Sequence, residues 1–378
     1  MNAVKFVAEP YKKFVTIRDE ESKFKLEILP FEFVQDEKVK IINIEHSILR
    51  KSRNLIIDSI GSGTGRVKSH NIYTEVIQPL FEDFGVQYDY FMTKHENSIK
   101  EIASSVEQRL NLNVIFLSGD TSINEFINNL APTDKNLKLT ILPIPCGTGN
   151  SLSFSVGIES KLASVEKLFY SKEEPLFLYQ AELPRKSKFF RQGKEVEIKR
   201  PLQFLVVISW AFHAAIVADS DTEEMRRHGI ERFKMAAIRN LEKRTIYEGD
   251  TKLTSKLIQG PYAYWLLTPA TKFEPTFEIL PKGSIRENSL YLVAVEASYI
   301  DNLMEIMYEV YDKGNHVNDK RVIYEKIDQD SEVTLEMKSP SKRICLDGDV
   351  ICLPDETCQI RVTPRANKYN GWSTFILD

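Results

Sequence analysis

Cysteine is scarce and unpatterned. The four residues, Cys146, Cys345, Cys352 and Cys358, contain no Cys-x-x-Cys pair of the kind a zinc site or redox motif needs. Nothing at the N-terminus reads as a cleavable signal peptide, so a reducing, cytoplasmic compartment is expected. Long apolar runs are missing too. The most apolar stretch, FLVVISWAFHAAIVA from Phe204 to Ala218, falls short of the roughly 20 residues of a spanning helix and carries Ser209 and His213. It reads as a buried strand and its continuation, and any membrane contact is then peripheral. Charge of one sign is not in excess either. A net charge of -4 gives no global pull towards nucleic acid, and no nucleic-acid partner is expected; an anionic ligand has to be met by a local patch. There is no internal repeat and no low-complexity segment.

What is present is a change of texture along 378 residues, a length that favours two domains. From Asn54 to Gly157, short apolar strands (LIID, VQYDYFMT, NVIFLS, LTILPI) alternate with helix-like segments at 71–84, 98–110 and 123–130. Such alternation predicts βαβ units around a parallel sheet, with ligands bound at the carboxyl ends of the strands. Beyond about residue 170 the segments are β-branched or aromatic and separated by turns, which predicts antiparallel sheet interrupted by helices at 222–242 and 301–312. The fold class is therefore α/β: an N-terminal parallel-sheet domain over 51–165 and a mainly antiparallel β-sandwich domain over 166–378. The first 50 residues, with a hairpin in FVTIRDEESKFKLEILPFEFV, are a β-rich extension that either joins the second half or stands alone.

Three polar turns follow the strands. Gly61-Ser62-Gly63-Thr64-Gly65 follows the first, Ser118-Gly119-Asp120-Thr121-Ser122 the third, and Pro145-Cys146-Gly147-Thr148-Gly149-Asn150 the fourth. The last has the strand–turn–helix form in which backbone N–H groups cradle phosphate. None has the Lys of a P-loop or the spacing of G-x-G-x-x-G. Ser122 and Glu125 fit a capping box, so Asp120 on its own is as readily a helix cap as a catalytic base.

In order and spacing, Ser118-Gly119-Asp120-Thr121, Asn124-Glu125 and Pro145-Cys146-Gly147-Thr148-Gly149-Asn150 resemble the motifs of the diacylglycerol and sphingosine kinase superfamily. SWAFHAAIVADSDTEEMRRHGIERF (209–233), DKGNH (312–316) and LDGDV (346–350) extend the likeness and bring it nearest to the sphingosine kinase branch. The resemblance implies an ATP- and Mg²⁺-dependent lipid kinase, with 51–165 as the nucleotide-binding catalytic domain and 166–378 as the lipid-binding domain. It makes Asp120 the base. It places Thr93, Ser118, Gly119, Thr121, Gly147, Thr148, Gly149, Arg226, Arg232, Asp347, Gly348 and Asp349 around the nucleotide, and Asp221 at the amine of a sphingoid base.

The chain departs from the family at two points. Thr121 stands where the family has a second glycine, and Asp58-Ser59 where it has Asn-Pro. Asp58 then reads as a carboxylate in the shell of a phosphate-bound metal, since without a cation between them it would repel the nucleotide. Duller readings stay open beside these: ADSDTEE as an acidic helix start, Asp347-Gly348 as a hairpin turn, and a degenerate nucleotide- or lipid-binding protein of the same fold without transfer activity. Ceramide or diacylglycerol remain alternative substrates. PRKSKFFRQGK (184–194) is either a polar hairpin loop or a basic membrane contact through Phe189 and Phe190.

Overall fold

A computed structural model describes residues 3–33, 39–63, 70–170, 172–191, 194–354 and 358–377. The chain opens with β1 (Ala3–Glu9), β2 (Lys13–Asp19), β3 (Phe24–Pro30) and β4 (Lys40–Asn43), in the order β3-β2-β1-β4. The expected hairpin is β2–β3, paired from Lys13↔Pro30 to Asp19↔Phe24. Phe6 of β1 and Val15, Ile17 and Phe24 of the hairpin share one core with Phe81, Phe84 and Phe169 of the next segment. The first 50 residues thus cover the α/β half.

That half runs β5 (Arg53–Asp58), a π-helical turn (Tyr73–Ile77) continued by α1 (Gln78–Asp83), β6 (Asp89–Met92), α2 (Ser98–Ser104), β7 (Leu112–Ser118), α3 (Asp120–Asn129), β8 (Leu137–Pro145), α4 (Ser151–Ser155) and α5 (Lys161–Tyr170). The strands are parallel in the order β8-β7-β5-β6. Strand β7 is buried along its whole length, which is why it reads as one apolar run with no alternation. Its Ile115 and Leu117 join the core under the N-terminal sheet, while Val114 and Phe116 face a second core shared with α3 and the β-rich half. Helix α2 stops at Ser104, short of the expected Leu110. The hydroxyls of Ser104 and Ser105 bond back to the carbonyls of Lys100 and Ile102 and compete with further helix.

The second half is a sandwich. One sheet has six strands in the order 202–204, 179–182, 358–364, 333–337, 249–253, 257–259. The other has eight, in the order 194–197, 188–191, 349–352, 343–346, 208–210, 262–268, 290–296, 322–327. Trp210, Tyr262, Trp265, Leu335, Met337 and Ile360 fill the space between them. Four helices lie outside: α6 (Ala211–Ser220), α7 (Glu223–Arg226), α8 (Glu231–Lys243) and α9 (Leu303–Tyr311).

Three sequence expectations change here. The apolar run from Phe204 is strand only to Trp210; the remainder is α6. The single helix expected at 222–242 is two, broken at Gly229, whose φ of +56° ends helical geometry. The stretch Trp372–Leu377 does not stay with the β-rich half. It pairs parallel to β8, from Trp372↔Leu137 to Ile376↔Ile141, with Trp372 buried and its Nε1 donating to Ala131 O at 2.9 Å. The outer edge of β8 is thereby closed. No described helix is long and apolar enough to cross a membrane.

Candidate active site

The chain leaves β5 for β6 on one side and β7 for β8 on the other, so the strand order reverses between β5 and β7. At such a reversal the loops diverge and leave a crevice outside the carboxyl ends of the strands. Asp58 ends β5, Ser118 ends β7 and Pro145 ends β8, and their turns meet there. A Cβ on Gly147 would stand 2.4 Å from Gly119 Cα, and one on Gly119 would stand 2.7 Å from Gly149 O. These two glycines are required by backbone packed on backbone. Gly63, at φ +66°, closes on Cys146 O in the same way. Thr64 and Gly65 of that turn lie outside the described residues. Gly149 differs, because nothing lies within 4 Å of the position its Cβ would take. Its backbone is open to a ligand. Thr148 beside it is partly buried. Asn150 holds the loop shut, accepting from Gly147 N and donating to Gly147 O, both at 2.9 Å.

Asp120 begins α3, with Gly119 as the N-cap residue. The Ser122–Glu125 capping box does not form; Ser122 already lies within the first turn. The Asp120 carboxylate crosses to the start of α4, where Oδ2 accepts from Ser151 N at 2.7 Å and Oδ1 from Leu152 N at 3.1 Å. It is 8% exposed, and burial pushes it up to about 6 against the pull of the two N–H groups. A carboxylate ionised at neutral pH, yet with proton affinity well above the ordinary, thus sits where two glycine turns touch.

Thr121 is helical, so this position needs no positive φ here. Its hydroxyl donates to Asp347 O at 2.9 Å. Gly348 lies against it: a Cβ there would be 2.5 Å from Thr121 Oγ1. Asp347 and Gly348 are the two central residues of a tight hairpin, with φ of +46° and +92°, as a primed turn demands. The Asp347 side chain is committed to the protein. It is 2% exposed and accepts from the backbone N–H of Leu205, Val206 and Val207 and from Asn124 Nδ2, at 2.7–2.9 Å. Burial raises it to about 7. Asp349 is likewise taken by Arg191, whose Nε lies 2.8 Å from it, and the same guanidinium reaches Glu125 at 3.2 Å. Instead of offering open carboxylates to a nucleotide, this hairpin fastens α3 to the β-rich half.

Asp58 is 1% exposed and accepts from Tyr90 OH at 3.1 Å. Thr93 N donates to Asp58 O, and Ile60 N to Thr93 Oγ1, so β5 and β6 end as one unit. Ser118 is buried beneath the same turn.

The chain gathers Asp221, Arg226 and Arg232 between α6 and α8. Arg226 Nε donates to Asp221 Oδ1 at 2.9 Å, and Arg232 lies 3.9 Å from the same oxygen. Arg232 Nε is buried without a partner among the described residues, and burial lowers the guanidinium's pKa. No hydrogen bond or ion pair among the described residues joins this cluster to the glycine turns. The link runs through 271–274: Ser151 Oγ donates to Phe273 O at 3.4 Å, and Glu274 lies beside Glu231 at the start of α8, whose charge helps raise it.

PRKSKFFRQGK runs into the hairpin 188–197, in line with the first of its two expected readings; its Gln192 and Gly193 lie outside the described residues. Phe189 packs on the sandwich core, Lys188 pairs with Glu195 and Lys194 with Glu96, and only Phe190 of the two rings is exposed. Asn124, Glu125, Asn150 and Arg191 carry weight that the sequence reading did not assign to them. Asn124, Glu125 and Asn150 stand inside the quoted motifs; Arg191 stands inside the basic segment 184–194, where nothing sets it apart from its neighbours.

Among the described residues, no three His, Cys, Asp or Glu side chains converge as a metal site. The carboxylates nearest the crevice hold backbone N–H groups, Tyr90 or Arg191, so these residues do not fit a magnesium ion held by the protein alone.

Residues 56–180 match the family of the diacylglycerol kinase catalytic domain. Sphingosine kinase B of Dictyostelium discoideum is 31% identical over 175 residues, which are 44% of this chain and 23% of that protein, so the chain spans under a quarter of that relative's length. Human sphingosine kinase 1 is 21% identical over 67% of this chain and 75% of its own. The solved structure of a diacylglycerol kinase from Bacillus anthracis has the same fold, with a TM-score of 0.59 at 16% identity over 86% of this chain and 96% of that one. Residues 56–180 thus match the diacylglycerol kinase catalytic domain, within a chain similar in sequence to sphingosine kinases and in fold to a diacylglycerol kinase.

Proposed function

We propose that the protein transfers the γ-phosphoryl group of ATP to the primary hydroxyl of a sphingoid long-chain base. The observation that carries the reading is Asp120, a buried carboxylate with its pKa raised to about 6 and fixed by two backbone N–H groups where the glycine turns meet. In that role it takes the proton of the lipid hydroxyl as the oxygen attacks phosphorus. The open backbone at Gly149 lets phosphate approach, and Arg226 and Arg232 neutralise its charge. Magnesium carried on the nucleotide phosphates would supply further charge neutralisation.

Asp221 supports an amine-bearing substrate. Its carboxylate already holds the Arg226 guanidinium at 2.7 Å, with that of Arg232 3.9 Å away. Phosphate that draws Arg226 away leaves Asp221 for the lipid ammonium, whereas ceramide and diacylglycerol present no cation to replace it. The lipid is the partner, met at a membrane surface by a chain in which no described helix is long and apolar enough to cross it.

The test is transfer of label from γ-labelled ATP to mixed micelles of sphinganine, ceramide or diacylglycerol. Labelled sphinganine, with Asp221→Asn raising the KM for sphinganine much more than that for ATP, is the expected result. Label in diacylglycerol alone overturns the role of Asp221, and ATP binding with no labelled lipid overturns transfer.

A further inference from the structure

The hairpin of strands 188–191 and 194–197 joins the sandwich to the α/β half. On the sandwich side, Lys188 and Phe189 pair with Cys352 and Ile351 of the strand that Asp349 begins. On the other side, Arg191 reaches Glu125 of α3 at 3.2 Å, and its cross-strand neighbour Lys194 reaches Glu96, between Thr93 and α2, at 2.9 Å. Each contact lies next to a wall of the crevice. Glu125 is a little over one turn along α3 from Asp120. Asp349 follows Gly348, which packs against Thr121.

Arg191 stands between two carboxylates. Its Nε donates to Asp349 Oδ1 at 2.8 Å and its Nη1 lies 3.2 Å from Glu125 Oε1. Both acids are largely withdrawn from water, with side chains 5% and 13% exposed. Burial raises Glu125, the Arg191 charge pulls it down, and the Asp349 charge pushes it up again. The two acids thus repel each other, and the guanidinium between them lets both stay ionised. One positive and two negative charges leave a net −1 at this point. Without Arg191 both negative charges would stand uncompensated beside the crevice.

As a mechanical tie Arg191 is not needed alone, because Thr121 and Asn124 already bond α3 to Asp347. What it adds is positive charge in contact with both acids; Lys100 of α2 exerts a weaker pull on Glu125. A polyphosphate entering the crevice brings several negative charges of its own, and salt screens buried charges little. We propose that Arg191 is a positioning residue for the nucleotide, offsetting Glu125 and Asp349 so that the phosphates of ATP can settle at the glycine turns. The inference rests on the reading of the crevice as an ATP site, and extends it to a residue outside the glycine motifs that built that reading.

The test is equilibrium binding of ATP, ADP and AMP, at one magnesium concentration, to the wild type, Arg191→Gln, Arg191→Lys, Glu125→Gln and the double variant Arg191→Gln/Glu125→Gln. Arg191→Gln should lose about tenfold in ATP affinity, the worth of one unit charge facing another across about 12 Å at an effective dielectric of about 20. The loss should shrink through ADP to AMP, because it follows the charge of the ligand. Arg191→Lys should bind ATP nearly as the wild type does. The double variant, whose net charge matches the wild type, should recover most of the lost affinity. An equal loss for all three nucleotides overturns the proposal and leaves Arg191 a strut. So does wild-type ATP affinity in Arg191→Gln, or a double variant no better than the single one. Breaking a buried pair can prevent folding. If Arg191→Gln does not fold, Glu125→Gln decides, since it keeps the Arg191–Asp349 pair: it should bind ATP more tightly than the wild type by about the same factor, and AMP with a smaller gain. Unchanged or weaker ATP binding there ends the proposal. A wild type that binds no ATP overturns the ATP reading and this inference with it, a result distinct from each of the others.

Discussion

Asp120 caps one helix while beginning another, and both facts bear on its chemistry. Had its oxygens faced water, its proton affinity would be ordinary; burial raises it and the two N–H groups limit the rise. If it is the base, kcat/KM for the lipid should fall below a pH of about 6 with a slope of one, because the protonated acid accepts no proton. A pH series from 5 to 8 reads this directly, and a profile flat down to pH 5 contradicts it. Thr121 is explained at the same scale. It replaces a glycine without strain because its backbone is helical, and its hydroxyl gains a partner in Asp347 O. The glycine that makes room is Gly348, on the other side of the contact.

At the scale of elements, the glycine turns divide into those that pack and the one that opens. Gly147→Ala should destabilise by about 1–3 kcal/mol, since its new methyl meets the Gly119 backbone. Gly149→Ala should change stability by less than about 0.5 kcal/mol, yet weaken ATP binding by blocking close approach. Urea midpoints and ATP titrations of both variants separate the roles; wild-type ATP affinity in Gly149→Ala contradicts the phosphate site. These turns were legible because glycine, proline and asparagine punctuate apolar strands at the right spacing. Helix α6 was not. It is apolar on nearly every side, so the 3.6-residue period that distinguishes a helix from a buried strand is absent from its sequence. The Asp347-Gly348 turn was readable as a hairpin, but nothing local announces that the Asp347 carboxylate gathers three N–H groups from residues 205–207. For the same reason the return of Trp372–Leu377 to β8 was hidden: its partner lies far back in the chain.

For the whole molecule, the two halves are joined through the Thr121–Asp347 and Asn124–Asp347 bonds and the Glu125–Arg191–Asp349 bridge, all at α3. Burial of ionisable groups at and beyond this seam sets how stability follows pH. Asp120 and Asp347 are raised from 3.8 to about 6 and about 7, so the stability they contribute is complete below 3.8 and lost as pH rises through those values. His213 and His316 are lowered from 6.5 to about 4, so theirs is complete above 6.5 and lost as pH falls towards 4. Between about pH 4 and 6 these gains and losses offset each other, and above pH 6.5 only Asp347 still loses stability, up to about pH 7, so the four groups should leave the urea midpoint nearly level from pH 4 to 8; a steep rise or fall across that range contradicts this balance. The first 50 residues and the final strand both build on the α/β half, which leaves the β-rich half as one wall of the seam.

Phosphoryl transfer to a lipid hydroxyl is proposed to depend on Asp120 as its base. It is tested most directly by single-turnover transfer from γ-labelled ATP to sphinganine, with Asp120→Asn beside the wild type and ATP affinity measured for both. Labelled sphinganine from the wild type, with transfer at least about 100-fold slower in Asp120→Asn at comparable ATP affinity, is the predicted result. Equal transfer by the two proteins, or none by a wild type that binds ATP, would contradict it.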